Sequence, residues 1–113
     1  MARGQFSAFH RIAADELWHF YYGDPLVVYE ISHSGRLVTH RLGADPAKGE
    51  SFQTVVKAGS WFASEPAQGS EYGLVGCTVA PGFDFADFEL AEREGLVQQY
   101  PEHGELIRRL TRV

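Results

Sequence analysis

The feature that most constrains this chain is how short its apolar runs are and how regularly they stop. "ELWHFYY", "LVVYEIS", "LVTHRLG", "SFQTVVKAG", "SWFASEP" and "EYGLVGCTVAPG" each hold a short run rich in aromatic and β-branched side chains, and each is closed, at its last residue or the next, by Gly, Pro or Ser. Runs of about that length are too short for most helices and suit half-buried strands. "FSAFHRI" adds an alternating stretch before them. The spacing predicts strands near 5–12, 16–22, 26–32, 37–42, 52–57, 61–65 and 72–80. His33-Ser34-Gly35-Arg36 reads as a hairpin loop, and strands bounded this way make a sandwich or barrel. After Pro81-Gly82 the pattern changes. Asp87 can cap a helix through "FELAEREG", and Pro101 can open another through "PEHGELIRRLTRV", with Leu106, Ile107 and Leu110 as its apolar stripe.

Composition sets the outer bounds. A chain of 113 residues supports one core, so residues 1–113 are read as a single domain. Ten basic against 15 acidic residues give a formal charge of −5. That balance argues against a nucleic-acid partner or an anionic membrane surface. The single cysteine, Cys77, rules out an internal disulfide framework and reads as a small packing residue. Without a leader or a long apolar run, a cytoplasmic protein is expected.

The stretch "GQFSAFHRIAADELWHFYYGDP" carries the chemistry. Its spacing is Gly4, five residues, His10, one, Ile12, three, Glu16, six, Gly23. This resembles the first cupin motif, G-x5-H-x-H-x3-E-x6-G, with Ile12 in place of the second histidine. "FHRIAADELWHFYYGDPL", "VKAGSWFAS" and "LVGCTVAPGFDFADFEL", in that order, are similar to the largely uncharacterised Cupin_5 family. The resemblance implies a mainly β fold: a double-stranded β-helix, or RmlC-like jelly-roll barrel, enclosing a cavity and followed here by a short C-terminal helical segment. It also implies an additional N-terminal segment, which is expected to be absent because Met1-Ala2-Arg3 leads straight into the motif. The loss of its strands would leave an open sheet edge.

Strand alternation puts His10 on one face with Ala8 and Ile12, and Glu16 on one face with Trp18, Phe20 and Tyr22. With those faces inward, His10, Glu16, Trp18, Phe20, Trp61 and Phe62 line an aromatic ligand-binding cavity. A carboxylate among Leu17, Trp18 and Phe20 needs a partner, and His10 or a ligand is the expected one. An ionised Glu16 would then raise the pKa of His10. The resemblance implies three histidines and a glutamate in a metal-binding cupin. Here Ile12 replaces one histidine, and at the second motif, G-x5-P-x-G-x2-H-x3-N, only Gly59 is kept while Ser51, Lys57, Phe62 and Pro66 hold the other positions. Two ligands fall short of a usual site, so no metal or other cofactor is expected; a divalent metal at His10 and Glu16 is the less favoured alternative.

Two functions from different classes follow. The first is a small-molecule-binding module. The second is an isomerase- or epimerase-like enzyme acting on a sugar or other small polar metabolite, with His10 as general base, Glu16 orienting it and Tyr22 returning the proton. A metal-dependent enzyme comes third. Phe9, His19, Tyr21 and Tyr29 fall in the opposite strand phase, so a homodimer that covers them is expected. His33 and His40, beside the hairpin turn, read as surface residues. Asp84 and Asp87 read as backbone caps or closures of the barrel mouth.

Overall fold

The computed structural model describes residues 1–80 and 88–112. Strands run at Ser7–Arg11 (β1), Asp15–Gly23 (β2), Leu26–Ile31 (β3), Leu37–Leu42 (β4), Gln53–Val56 (β5), Trp61–Pro66 (β6), Gly73–Ala80 (β7) and Glu89–Leu90 (β8). Helices follow at Arg93–Gln99 (α1) and Gly104–Arg109 (α2). The strands pair antiparallel into a five-stranded sheet, β4-β3-β6-β1-β8, and a three-stranded sheet, β5-β2-β7. The expected mainly β barrel with a helical tail is what the chain forms.

Alternation along the strands builds two apolar clusters. Ile12, Trp18, Phe20, Leu26, Val28, Leu42, Val56 and Phe62 come from both sheets and fill the space between them. On the outer face of the five-stranded sheet, Phe9, Ile31, Trp61 and Ala63 pack beneath Leu96, Val97, Ile107 and Leu110 of the helical tail. Ile107 and Leu110 are buried and Leu106 is partly so, as the predicted apolar stripe requires. The tail is also tied by backbone: the Phe9 N–H donates to the Leu110 carbonyl at 2.9 Å, and the Ala91 N–H donates to the Phe9 carbonyl at 2.9 Å.

The first helix begins later than its sequence suggests. Glu89 and Leu90, expected inside a helix, pair instead with Arg11 and His10 as a short strand. Backbone groups along β1 gain a ladder partner there, which outweighs local helix preference. Helix α1 starts at Arg93, with the Glu92 carboxylate accepting from the Gly95 N–H at 3.0 Å. The capping roles expected of Asp84 and Asp87 lie outside the described residues. Pro101 does open a helical turn, Pro101–His103, ahead of α2. At the hairpin between β3 and β4, Gly35 has φ +82°, a left-handed conformation that a β-carbon would strain.

One irregularity matters for the site. Strand β2 pairs with β7 in steady register from Asp15↔Ala80 to Phe20↔Val75, and then Tyr22 pairs with Leu74. Tyr21 is thus the extra residue of a β-bulge, and alternation restarts beyond it. Val75 packs against the inter-sheet cluster, so its neighbour Leu74 faces outward, and Tyr22 with it.

Candidate functional site

His10, Glu16, Trp18, Phe20 and Phe62 meet in the space between the sheets, and Tyr22 and Trp61 do not. The His10 ring lies 4.2 Å from Phe62, centroid to centroid, and 5.2 Å from Phe88 in a stacked arrangement. The Trp18 indole meets the same Phe62 edge-on at 6.4 Å. Phe20 is buried in that cluster. Tyr22, expected inside, is 65% exposed and contacts Tyr72 instead, because the bulge at Tyr21 turns it onto the outer face. Trp61 precedes inward-facing Phe62, so it points the other way, into the cluster beneath the helices, with the Arg11 guanidinium 4.5 Å above its ring.

The imidazole of His10 is held by backbone. Its Nδ1 is 2.7 Å from the Ala8 carbonyl, an acceptor only, so Nδ1 carries the proton and Nε2 keeps its lone pair. Burial lowers the His10 pKa below its ordinary value, and the Ala8 carbonyl offsets part of that fall. This reverses the expected rise. Glu16 makes no hydrogen bond or ion pair with His10 among the described residues, so the attraction that would have raised the histidine's pKa is missing and desolvation decides.

Glu16 is pushed the other way for the same reason. Burial raises its pKa, and the nearby Trp18 indole offsets part of that rise without reaching full hydrogen-bond geometry. Among the described residues, Glu16 Oε2 and Trp18 Nε1 are both buried with no hydrogen-bond partner, as are the hydroxyls of Ser60 and Ser64. On the neighbouring strand, Cys77 pairs in register with Trp18. Cys77 is exposed by its accessible surface, yet the surrounding apolar walls desolvate its thiol and, with the charge of Glu16, push it up to about 12. At neutral pH it is therefore a thiol and a poor nucleophile. Trp18 and Cys77 line an open cavity of about 670 Å3 together with Met1, Phe6, Val75 and Arg112, and of the interior site residues Trp18 alone belongs to its lining.

A second polar group inside the barrel has no counterpart in the sequence reading. Glu30, 5% exposed, accepts from His40 Nε2 at 2.8 Å and from the Lys57 N–H at 3.1 Å. His40 Nδ1 meets the Thr54 hydroxyl at 2.7 Å. His40 was expected at the surface. It instead shares the inward phase of Leu42, opposite Val28, and joins β4 to β3 and β5. The signal was present in "LVVYEI": a carboxylate in phase with Leu26 and Val28 needs a buried partner, and His40 lies in the next strand at the right phase.

The donor set does not fit a tightly held metal ion. Ile12, at the position of the second histidine of the cupin motif, is buried in the inter-sheet cluster. Among the described residues no group of three or more His, Cys, Asp or Glu side chains is placed to hold a cation. His10 and Glu16 alone fall short of the three protein ligands that such sites use.

Comparisons with known proteins agree with this architecture. The Cupin_5 family model, described as cupin superfamily (DUF985), matches residues 1–91. A crystal structure of a protein from Shewanella oneidensis is 45% identical with a TM-score of 0.93, and the match covers 99% of this chain and 70% of that one. A hypothetical protein from Leishmania major is 31% identical with a TM-score of 0.91, covering 99% and 72%. Oxalate decarboxylase from Bacillus subtilis is similar in fold only, at 14% identity and a TM-score of 0.57, covering 93% of this chain and 27% of that one. No curated protein matches the chain. No described helix is long and apolar enough to cross a membrane. The chain belongs to the Cupin_5 family of the cupin superfamily.

Proposed function

We propose that the protein binds a small molecule in the barrel interior, against His10, Glu16, Trp18 and Phe62, without a metal ion. One observation carries this reading: the inward-facing Trp18, which meets Phe62 edge-on and has Glu16 as a neighbour, lines an open cavity of about 670 Å3. A buried polar atom left unpaired costs about 1–3 kcal/mol. Glu16 Oε2 and Trp18 Nε1 have no hydrogen-bond partner among the described residues, and a ligand that displaces the cavity wall at Trp18 would supply one. His10 adds an acceptor, the lone pair of Nε2, whose direction is fixed by the bond from Nδ1 to the Ala8 carbonyl. The enzymatic alternative keeps this nitrogen as its base but loses Tyr22 as the returning acid, so binding is the better-supported reading.

Release of the contents of purified protein by denaturation, followed by mass spectrometry, tests the proposal. A stoichiometric organic molecule is expected, and its loss in a Val75→Trp variant that blocks the cavity mouth would tie it to the interior. Stoichiometric metal would overturn the metal-free reading.

We also propose that a second copy covers the outer face of the three-stranded sheet. Two of the residues expected to need such a cover have one already: Phe9 is fully buried beneath the helical tail, and Tyr29 packs there and donates to Glu65 at 2.8 Å. What supports a dimer is the other sheet. Tyr21, Tyr22, Phe52, Val55, Tyr72 and Leu74 are exposed on or beside it. Apart from Asp15 at one end, its outward positions carry no Asp, Glu, Lys or Arg. A patch of this kind is typical of an interface.

A further inference from the structure

The cavity beside Trp18 also limits what kind of molecule it can hold; this inference rests on the binding reading above. The chain as a whole carries a formal charge of −5, yet no Asp or Glu lines this cavity and the charged groups in its wall are both positive. The Met1 ammonium donates to the Gly73 carbonyl at 2.8 Å, and the Arg112 guanidinium donates to the Phe6 carbonyl at 3.1 Å. Both acceptors are neutral, so neither charge is cancelled. Arg112 makes no ion pair among the described residues. An organic cation entering here would meet like charge, and an anion would meet its complement.

The wall also says where each end of such a molecule sits. The Arg112 guanidinium lies 4.4 Å above the Phe6 ring, which steadies it, and its bond to the Phe6 carbonyl uses one N–H and leaves the others open. A carboxylate matches that planar fork, accepting two N–H groups side by side. Away from Arg112 the wall is apolar: Trp18 belongs to the inter-sheet cluster, and Met1 and Val75 pack against it. Glu16 is outside the lining, but its charge reaches Cys77. That charge repels an anionic head from the Cys77 side and leaves the Arg112 side for it. A flat apolar body then lies against Trp18 and Val75. The volume of about 670 Å3 accommodates more than a single ring.

We infer that the cavity takes a ring-bearing carboxylate, its anionic head paired with the Arg112 guanidinium and its apolar body against Trp18 and Val75.

Three probes that share a phenyl ring separate the charge classes: benzoate, benzamide and benzylammonium. They are titrated near neutral pH into 15N-labelled protein, and the Val75 and Cys77 amide signals are followed with the two indole N–H signals. Trp18, Val75 and Cys77 report on the cavity, and Trp61, which packs under the helices, is the internal control. Benzoate is expected to move the cavity signals, leave Trp61 in place, and bind at least about fivefold more tightly than the other two, as an exposed guanidinium allows. In Arg112→Gln, whose exposed side chain the fold does not need, benzoate should lose that advantage while benzamide binds as before. Benzamide or benzylammonium binding as tightly as benzoate, with the cavity signals moving, would overturn the anion inference and leave the cavity reading standing. A benzoate preference that survives in Arg112→Gln would overturn it too. If no probe moves the cavity signals, the inference is overturned, and the mass-spectrometric release experiment decides separately whether the protein binds anything.

Discussion

The two apolar clusters of this barrel share a sheet and differ in purpose. The outer one, beneath the helical tail, joins Phe9, Ile31, Ala63, Ile107 and Leu110, and its polar neighbours have partners: Arg93 donates to Thr111, and the Thr111 hydroxyl donates to the Ile107 carbonyl at 2.6 Å. The inner one holds aromatic rings too, yet Glu16, Trp18 and Ser64 keep polar atoms within it that are unpaired among the described residues. A chain that needed only stability would have filled these inner positions with aliphatic groups, since unpaired buried polar atoms destabilise the fold. The contrast separates a region that holds the molecule together from one that carries an unsatisfied chemical demand.

The sharpest test of the contrast is Phe9→Ala. Phe9 is fully buried in the outer cluster, and removing its ring should destabilise the fold by about 3–5 kcal/mol in urea titrations. The amount of organic molecule released on denaturation, from variant protein prepared at low temperature where it is folded, should barely change. A large loss of the released molecule would mean that the clusters are not separable.

Next comes the polar bridge within the barrel. His40→Ala leaves the Glu30 carboxylate with only the Lys57 N–H and should cost about 1–3 kcal/mol. Because His40 also meets Thr54 of the other sheet, the loss should appear as faster amide exchange along β5. A variant as stable as the parent would show that the bridge is solvated rather than buried.

Smaller effects are expected at the site, with opposite signs in pH. The His10 pKa is lowered on folding from about 6.5, so folding favours its neutral form. Its contribution is complete above that value and is lost as pH falls toward the folded value. The Glu16 pKa is raised from about 4.5, so its contribution is complete below that value and is lost as pH rises through the folded one. Glu16→Gln should therefore flatten the stability profile above pH 4.5 and make the protein slightly more stable at pH 7. If Glu16→Gln were instead less stable at pH 7, its carboxylate would have a partner in the folded chain.

The smallest change in monomer stability is expected at the bare sheet. Tyr21→Ser alters an exposed side chain and should shift stability by no more than about 0.5 kcal/mol. Light scattering should nevertheless show the dimer weakened. A parent protein that is monomeric at micromolar concentration would remove the interface proposal.

Most strand positions were legible because their causes are local. β3 and β4 fall at Leu26–Ile31 and Leu37–Leu42, within a residue of expectation, since alternation and turn residues act over a few positions. The same alternation brought His10, Glu16, Trp18, Phe20 and Phe62 to one interior. It failed at Tyr22 and Trp61 for distinct reasons. A single bulge reverses phase beyond Tyr21, and nothing local in "HFYYG" marks which residue is extra. Trp61 sits beside Phe62, and either aromatic could have been the inward one until β6 was registered against β3 and β1.

The amino-acid sequence by itself determined the β character, the turns, the family and the inward phase of the motif residues, all of which depend on neighbours along the chain. Only the tertiary structure decided which outer face the helices cover, which residue closes β1 as a strand, and which histidine serves Glu30. Those outcomes depend on pairings between residues far apart in sequence: Arg11 with Glu89, Glu30 with His40 and Lys57, Phe9 with Leu110. A backbone or carboxyl group takes whichever partner the closed barrel brings within reach, and that choice does not exist until the sheets have met.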